Sequence, residues 1–124
     1  MGILLDTCVY LWILEDSDRL SPSIKQRLNG EYPRYVSAIS FAEIEIKRSL
    51  GKLTLPENYR ETFDETGLTL LEYTAADSAP LLKLPFHHKD PFDRILIAQS
   101  ITRSLPIATG DPVFGQYGIE VLEI

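Results

Sequence analysis

The sequence is poor in residues that could staple a fold together. It has one cysteine, Cys8, so no internal disulfide can form, and a reducing, cytoplasmic setting is expected. Cys8, His87 and His88 are too few, and two of them too close together, for a tetrahedral zinc site to be built easily. Long apolar runs are missing as well. VYLWIL (9–14) is far too short to span a bilayer, so no membrane association is expected. The opening MGILLDT has neither a basic region nor a long apolar core, which argues against a signal peptide. Asp6 stands where a myristoylation motif wants Ser or Thr. Positive charge is also scarce, with 12 Lys and Arg against 18 Asp and Glu and a net charge of −6. That balance disfavours unspecific binding to nucleic acid or an anionic membrane, a local basic patch aside.

What remains is an ordinary globular composition: 124 residues, 44% apolar and 24% charged, without repeats, low-complexity segments or a linker. This is one domain, residues 1–124, with room for a real core. GILLD (2–6) reads as a buried strand and TCVYLWILED (7–16) as a helix apolar almost all round. SPSIKQRLNG (21–30) carries a helix signature, with Ser21 as N-cap, Pro22 at the first helical position and Gly30 past the end. RYVSAI (34–39) is a second strand. SFAEIEIKRSLG (40–51) alternates like a strand, yet Ser40 with Glu43 makes a capping box and Gly51 a stop, so helix is expected. A polar helix over 56–67, a strand over 68–74 and a short helix over 75–85 disturbed by Pro80 follow. Residues 91–104 form a nearly enclosed helix. Residues 105–110 form a strand, 111–118 a helical turn with a loop, and 119–124 a last strand. Short apolar strands alternating with helices predict an α/β fold with a mostly parallel sheet.

Four carboxylates share one kind of position. Asp6, Glu43 and Asp111 lie just past predicted strand ends, where ligands bind in parallel α/β sheets. Asp93 joins them if its helix starts at the same edge. Capping explains each one singly: Asp6 as an N-cap, Glu43 in the Ser40 box, Asp93 three residues after Asp90, and Asp111 before Pro112. Convergence would have a different consequence. Four carboxylates in one crevice repel one another until some are protonated or a cation neutralises them. A hard divalent ion, Mg²⁺ or Mn²⁺, suits an all-oxygen site and assists phosphoryl chemistry. Asp90 reads as a structural cap that pairs with Arg94 four residues on. His88 reads as a hydrogen-bonding group near this turn rather than as a catalyst.

The blocks LLDTCVYLW, VSAISFAEIEIKRSLGKL (36–53), HHKDPFDRILIAQS (87–100) and IATGDPVFGQYGIEVL (107–122) resemble a PIN domain. More closely, they resemble the VapC-type toxins of bacterial type II toxin–antitoxin pairs, with DPFDR followed by LIAQ the most specific block. The resemblance runs from the second residue to the end. It implies a three-layer fold, with a mostly parallel sheet of four to five strands flanked by helices. It also implies a Mg²⁺- or Mn²⁺-dependent endoribonuclease whose acidic set is Asp6, Glu43, Asp93 and Asp111. Asp6 and Asp93 would be the main metal ligands, and Thr7 and Thr109 would orient them or hold water. A homodimer and a small antitoxin whose tail covers the site are the implied partners. Three positions depart from the pattern: Cys8 replaces a common His or Asn, Phe41-Ala42 replaces a common Trp before the Glu, and Gly110 replaces a bulkier residue.

Hydrolysis by activated water at phosphorus needs no side-chain nucleophile. Lys47, Arg48, Lys52, Lys89, Arg94 and Arg103 are candidate phosphate contacts, with solvated helix surface as the competing explanation. The apolar circumference of 9–14 suggests a dimer contact through parts of helices 7–16 and 40–51, or simple core packing. Two rival functions are a PIN-like module that only docks protein or RNA, and a receiver- or phosphatase-like domain using Asp6. The first predicts loss of some acidic residues, and all four are present. The second wants another acidic residue at position 8, which is Cys8.

Overall fold

The structure, a computed structural model, describes residues 2–124. Five strands form one all-parallel sheet: β1 (Ile3–Leu5), β2 (Arg34–Ser37), β3 (Thr69–Leu71), β4 (Ile107–Thr109) and β5 (Val121–Glu123). Their order across the sheet is β3-β2-β1-β4-β5. The chain builds outward from β1 to one edge, then returns to β1's other side. The order therefore reverses between β1 and β4, and at that point an open parallel sheet leaves a crevice beyond its strand ends.

Side-chain alternation along the strands divides the core into two layers. Leu5, Val36 and Ala108 point into one cluster with Val9, Tyr10 and Ile44 of α1 (Thr7–Glu15) and α3 (Ala38–Ser49). Leu4 and Ile107 point into the other, with Leu96, Ile97 and Ala98 of α4 (Pro91–Arg103). Helices thus cover both faces, as all-parallel strands require. α4 is as enclosed as its sequence indicates: Leu96 through Ser100 are buried. α2 (Pro22–Leu28) is capped by Ser21, which accepts from Ile24 N–H at 3.3 Å.

Several expectations need correction. The third helix begins at Ala38, not Ser40, and its N-cap is Ser37, whose hydroxyl accepts from Ile39 N–H at 3.2 Å. Ser40 therefore sits inside the helix, and no Ser40–Glu43 capping box forms. β2 stops at Ser37 rather than 39 for the same reason. The polar segment 56–67 folds as turns, with only a 3₁₀ stretch at Phe63–Thr66. Gly67 closes that stretch with φ +76°. Residues Ala75–Lys83 are 3₁₀ rather than α, consistent with Pro80, which has no N–H for an α-helical bond. Among the described residues no helix is long and apolar enough to cross a membrane.

Candidate functional site

Asp6 ends β1 in extended backbone and caps α1. Its two oxygens do different work. Oδ1 accepts from Val9 N–H at 2.7 Å, while Oδ2 accepts from the Thr109 hydroxyl. Asp111, just past β4, repeats the device. Oδ1 accepts from Val113 N–H at 2.9 Å, and Oδ2 lies 2.8 Å from His88 Nε2. Capping and site chemistry are thus not rival explanations, because one oxygen of each carboxylate serves each. Thr109 joins the two residues, since its Oγ1 also accepts from Asp111 N–H at 3.0 Å.

Asp90 is the N-cap of α4, its Oδ1 accepting from Phe92 N–H at 2.8 Å and Asp93 N–H at 3.4 Å. That leaves the Asp93 carboxylate free, and its Oδ2 lies 3.1 Å from His88 Nε2. The expected Asp90–Arg94 pair does not form. The Arg94 guanidinium instead donates to the carbonyls of Pro85 (2.8 Å) and Leu84 (3.2 Å) and stacks on Phe86, tying down the loop before α4. Glu43, buried on α3, accepts from Thr7 Oγ1 at 2.8 Å and from Lys47 Nζ at 2.7 Å. Thr7 is also hydrogen-bonded to Ser40 Oγ at 2.9 Å, so Ser40 supports Glu43 through Thr7 instead of capping a helix.

Asp6 and Asp93 each lie in the field of neighbouring carboxylates. Burial pushes the Asp6 carboxyl up to about 6 against the lowering effect of its Thr109 and Val9 hydrogen bonds, and the charges of Glu43 and Asp111 push the same way as burial. Burial likewise pushes Asp93 up to about 7; Asp90, Glu43 and Asp6 add to this and His88 opposes it. The crevice therefore holds more negative charge than its own hydrogen bonds neutralise. Burial of the sulfur first, then the charge of Asp6, raises the Cys8 thiol beside it to about 11.

His88 was not singled out as a site residue by sequence reasoning. It clamps Asp93 to Asp111, and one ligand atom from each of the three lies within 4.8 Å of the others. Its Nδ1 accepts from Asp90 N–H at 3.1 Å, so Nε2 carries the proton and donates toward the two carboxylates. In this tautomer the ring bridges the carboxylates rather than offering a metal a lone pair. The signal for it was the HHKDPFD spacing, which puts the ring within reach of its own helix cap. Lys47 was named for phosphate binding, and the structure engages it with Glu43. Arg48 pairs with Glu45 at 3.1 Å and Arg103 with Asp77 at 2.9 Å. Lys52 and Lys89 remain on exposed surface.

This donor set fits a hard divalent cation. Oxygen donors predominate, two threonine hydroxyls sit among them, and burial first, then neighbouring carboxylates, raises Asp6 and Asp93.

The PIN domain family model matches residues 3–120. The chain belongs to the PIN domain family. Among solved structures, this PIN domain is similar in fold to VapBC2 from Rickettsia felis bound to a DNA fragment from its promoter. The TM-score is 0.75 at 15% identity, covering 100% of this chain and 99% of that one. DNA-bound VapBC from Salmonella typhimurium gives a TM-score of 0.71 at 17% identity, covering 99% and 98%. A toxin–antitoxin complex from Klebsiella pneumoniae gives 0.60 at 18% identity, covering 98% and 99%. Among curated proteins, none matches the sequence. The three-layer α/β expectation is borne out, with five strands, all of them parallel.

Proposed function

We propose that this PIN domain is a Mg²⁺- or Mn²⁺-dependent endoribonuclease, the toxin of a type II toxin–antitoxin pair. The observation that carries the reading is the crevice at the β1/β4 reversal, where His88 bridges Asp93 and Asp111, and Asp6 and Glu43 lie near enough for their charges to act on one another and on Asp93. Asp6 and Asp93 are the main metal ligands, and Glu43 and Asp111 complete the set. A bound divalent ion would lower the pKa of a water and take up charge on the phosphate oxygens. The chain's own part is positioning. Thr109 fixes Asp6, Thr7 fixes Glu43, and Asp90 sets the first turn of α4 so that Asp93 projects into the crevice.

The partners in this reading are RNA, a cognate antitoxin and a second copy of the chain. Toxin–antitoxin assembly is what the similar Klebsiella structure is, and exposed Ile46 and Leu50 on α3 leave apolar surface for a protein contact. The apolar side chains of α1, by contrast, pack partly inward: Leu11, Ile13 and Leu14 lie half-buried against the core. A module that merely docks a partner has no use for a complete and mutually repelling acidic set.

The test is cleavage of a labelled single-stranded RNA by purified protein, with and without Mn²⁺. Asp93→Asn should reduce metal-dependent cleavage by about a hundredfold or more. Cleavage unchanged in that variant would end the assignment.

A further inference from the structure

Next to the acidic crevice lies an open pocket of about 340 Å³ that the carboxylate chemistry does not use. Asp6, Asp111 and Pro112 line its inner end, and Trp12 and Arg19 its outer end. It is at the small end of the range for ligand sites, suited to one planar group rather than to a whole polymer.

Local structure builds the outer end. α1 stops at Asp16, which adopts the left-handed conformation at φ 50°. The chain then turns back: Ser17 N–H donates to Trp12 carbonyl oxygen at 2.9 Å, and Leu20 N–H to Ser17 carbonyl oxygen at 3.1 Å. Buried Leu20 anchors that turn, and Arg19 N–H is held by Ser17 Oγ at 3.2 Å. The Arg19 guanidinium is thereby placed over the Trp12 ring, 5.2 Å from its centroid. Arg48, Arg60, Arg103, Lys25 and Lys47 are all paired with carboxylates, whereas Arg19 forms no ion pair among the described residues.

The inner edge of the indole needs Gly110. A Cβ at that position would lie 2.7 Å from Trp12 Cη2 and 3.2 Å from Cζ3. Any side chain there would push the ring away from the loop that carries Asp111. The glycine that departs from the family pattern is thus the residue that lets an aromatic ring lie against the acidic crevice.

We propose that Trp12 and Arg19 form a nucleotide subsite beside the scissile phosphate. One unpaired base stacks at the indole, and Arg19 contacts that nucleotide's phosphate. A flat aromatic surface beside a guanidinium without a carboxylate partner is how proteins hold unpaired RNA without reading a duplex. The position also answers a charge problem: phosphate is repelled by the carboxylates, and Arg19 supplies attraction at the outer end of the same pocket. A protein tail could touch the same surface, but the pocket opens directly on Asp6 and Asp111, where substrate must lie during cleavage. This subsite rests on the ribonuclease reading above.

Trp12 is the only tryptophan, so intrinsic fluorescence reports on this ring alone. The experiment titrates the full chain carrying Asp93→Asn with fluorescein-labelled single-stranded RNA in Mn²⁺. Anisotropy of the RNA and tryptophan emission are followed together. Emission should be quenched in step with binding, an abasic oligonucleotide should bind without the quench, and Arg19→Ala should weaken binding about tenfold. In parallel, KM for cleavage is measured in chains that keep Asp93, where Arg19→Ala should raise it by a similar factor. Trp12→Phe, which keeps a ring in place, should raise it less than Trp12→Leu. Suppose the parent cuts RNA, but emission stays constant on binding and Arg19→Ala leaves both affinity and KM unchanged. Then the subsite is wrong while the ribonuclease reading stands. Equal quenching by the abasic strand also overturns it. No binding and no cleavage by the parent overturns both.

Discussion

At the scale of single residues, the site depends on carboxylates that each satisfy two demands. Asp6 and Asp111 give one oxygen to a helix N-terminus and turn the other toward the crevice. Thr7 and Thr109 are the small hydroxyls that such an arrangement needs, each orienting a carboxylate from an adjacent strand end or helix. His88 has the opposite task. Its Nε2–H is the group that bridges Asp93 and Asp111. Removing it leaves two neighbouring carboxylates to repel each other, and a divalent ion would relieve that repulsion in its place. His88→Ala should therefore lower the melting temperature more in EDTA than in millimolar Mn²⁺, as measured by differential scanning fluorimetry. Equal losses in both conditions would show that the ring only packs against Phe114.

At the scale of elements, α4 shows how capping and function divide between neighbours. Asp90 holds the first turn, and Asp93 is left for the site. Asp90→Ala should destabilise the protein by about 1 kcal/mol in urea unfolding. It should also weaken Mn²⁺ binding measured calorimetrically, because the turn that aims Asp93 frays. The far end of α4 is pinned by a buried network. Asp77 accepts from Arg103 and from Thr74 N–H, and Gln99 donates to the same carboxylate. The Arg103 guanidinium, ahead of the Thr74 hydrogen bonds, brings Asp77 down to about 2 from 3.8, against the cost of its burial. A folded-state value below the unfolded one means the stabilisation is complete above pH 3.8 and is lost as pH falls toward 2. Its size is about 2 kcal/mol. Arg103→Gln should remove most of this acid-dependent loss, so that the two chains differ clearly in stability at pH 6 and converge near pH 2. Parallel stability curves would contradict the assignment.

At the scale of the whole molecule, strand order decides where chemistry can occur. The sheet reverses direction of growth between β1 and β4, and Asp6 and Asp111 follow those two strands directly. Glu43 and Asp93 reach the same place from α3 and α4, which also contact one another. A cation bound there would tie both layers to the sheet. Millimolar Mn²⁺ should accordingly raise the melting temperature, because a ligand that binds only the folded state stabilises it by mass action. Asp6→Asn should abolish most of that rise. A rise that survives in Asp6→Asn would place the ion elsewhere. With a net charge of −6, binding of any phosphate-bearing ligand at this crevice should depend on such an ion, since carboxylates repel phosphate.

Much of this was determined by the amino-acid order alone. Alternating short apolar strands and helices, the Ser21-Pro22 and Asp90-Pro91 starts, and the buried centre of α4 are local patterns with local causes, and they appear in the structure as read. Asp6 and Asp111 are local signals of the same kind, each following a strand directly and capping the helical segment after it. Other features were decided only by tertiary packing. Ser40–Glu43 satisfies a capping pattern, but the helix begins at Ala38 with Ser37 as its cap, and Ser40 turns to Thr7, 33 residues away. Arg94 lies one helical turn from Asp90 yet finds the carbonyls of Leu84 and Pro85, which local spacing does not reveal. The His88 clamp and the contact of Gly110 with Trp12 are likewise meetings of distant segments. Sequence periodicity carries information over one turn or one strand, whereas hydrogen bonds and close packing between segments exist only once the sheet has set their positions.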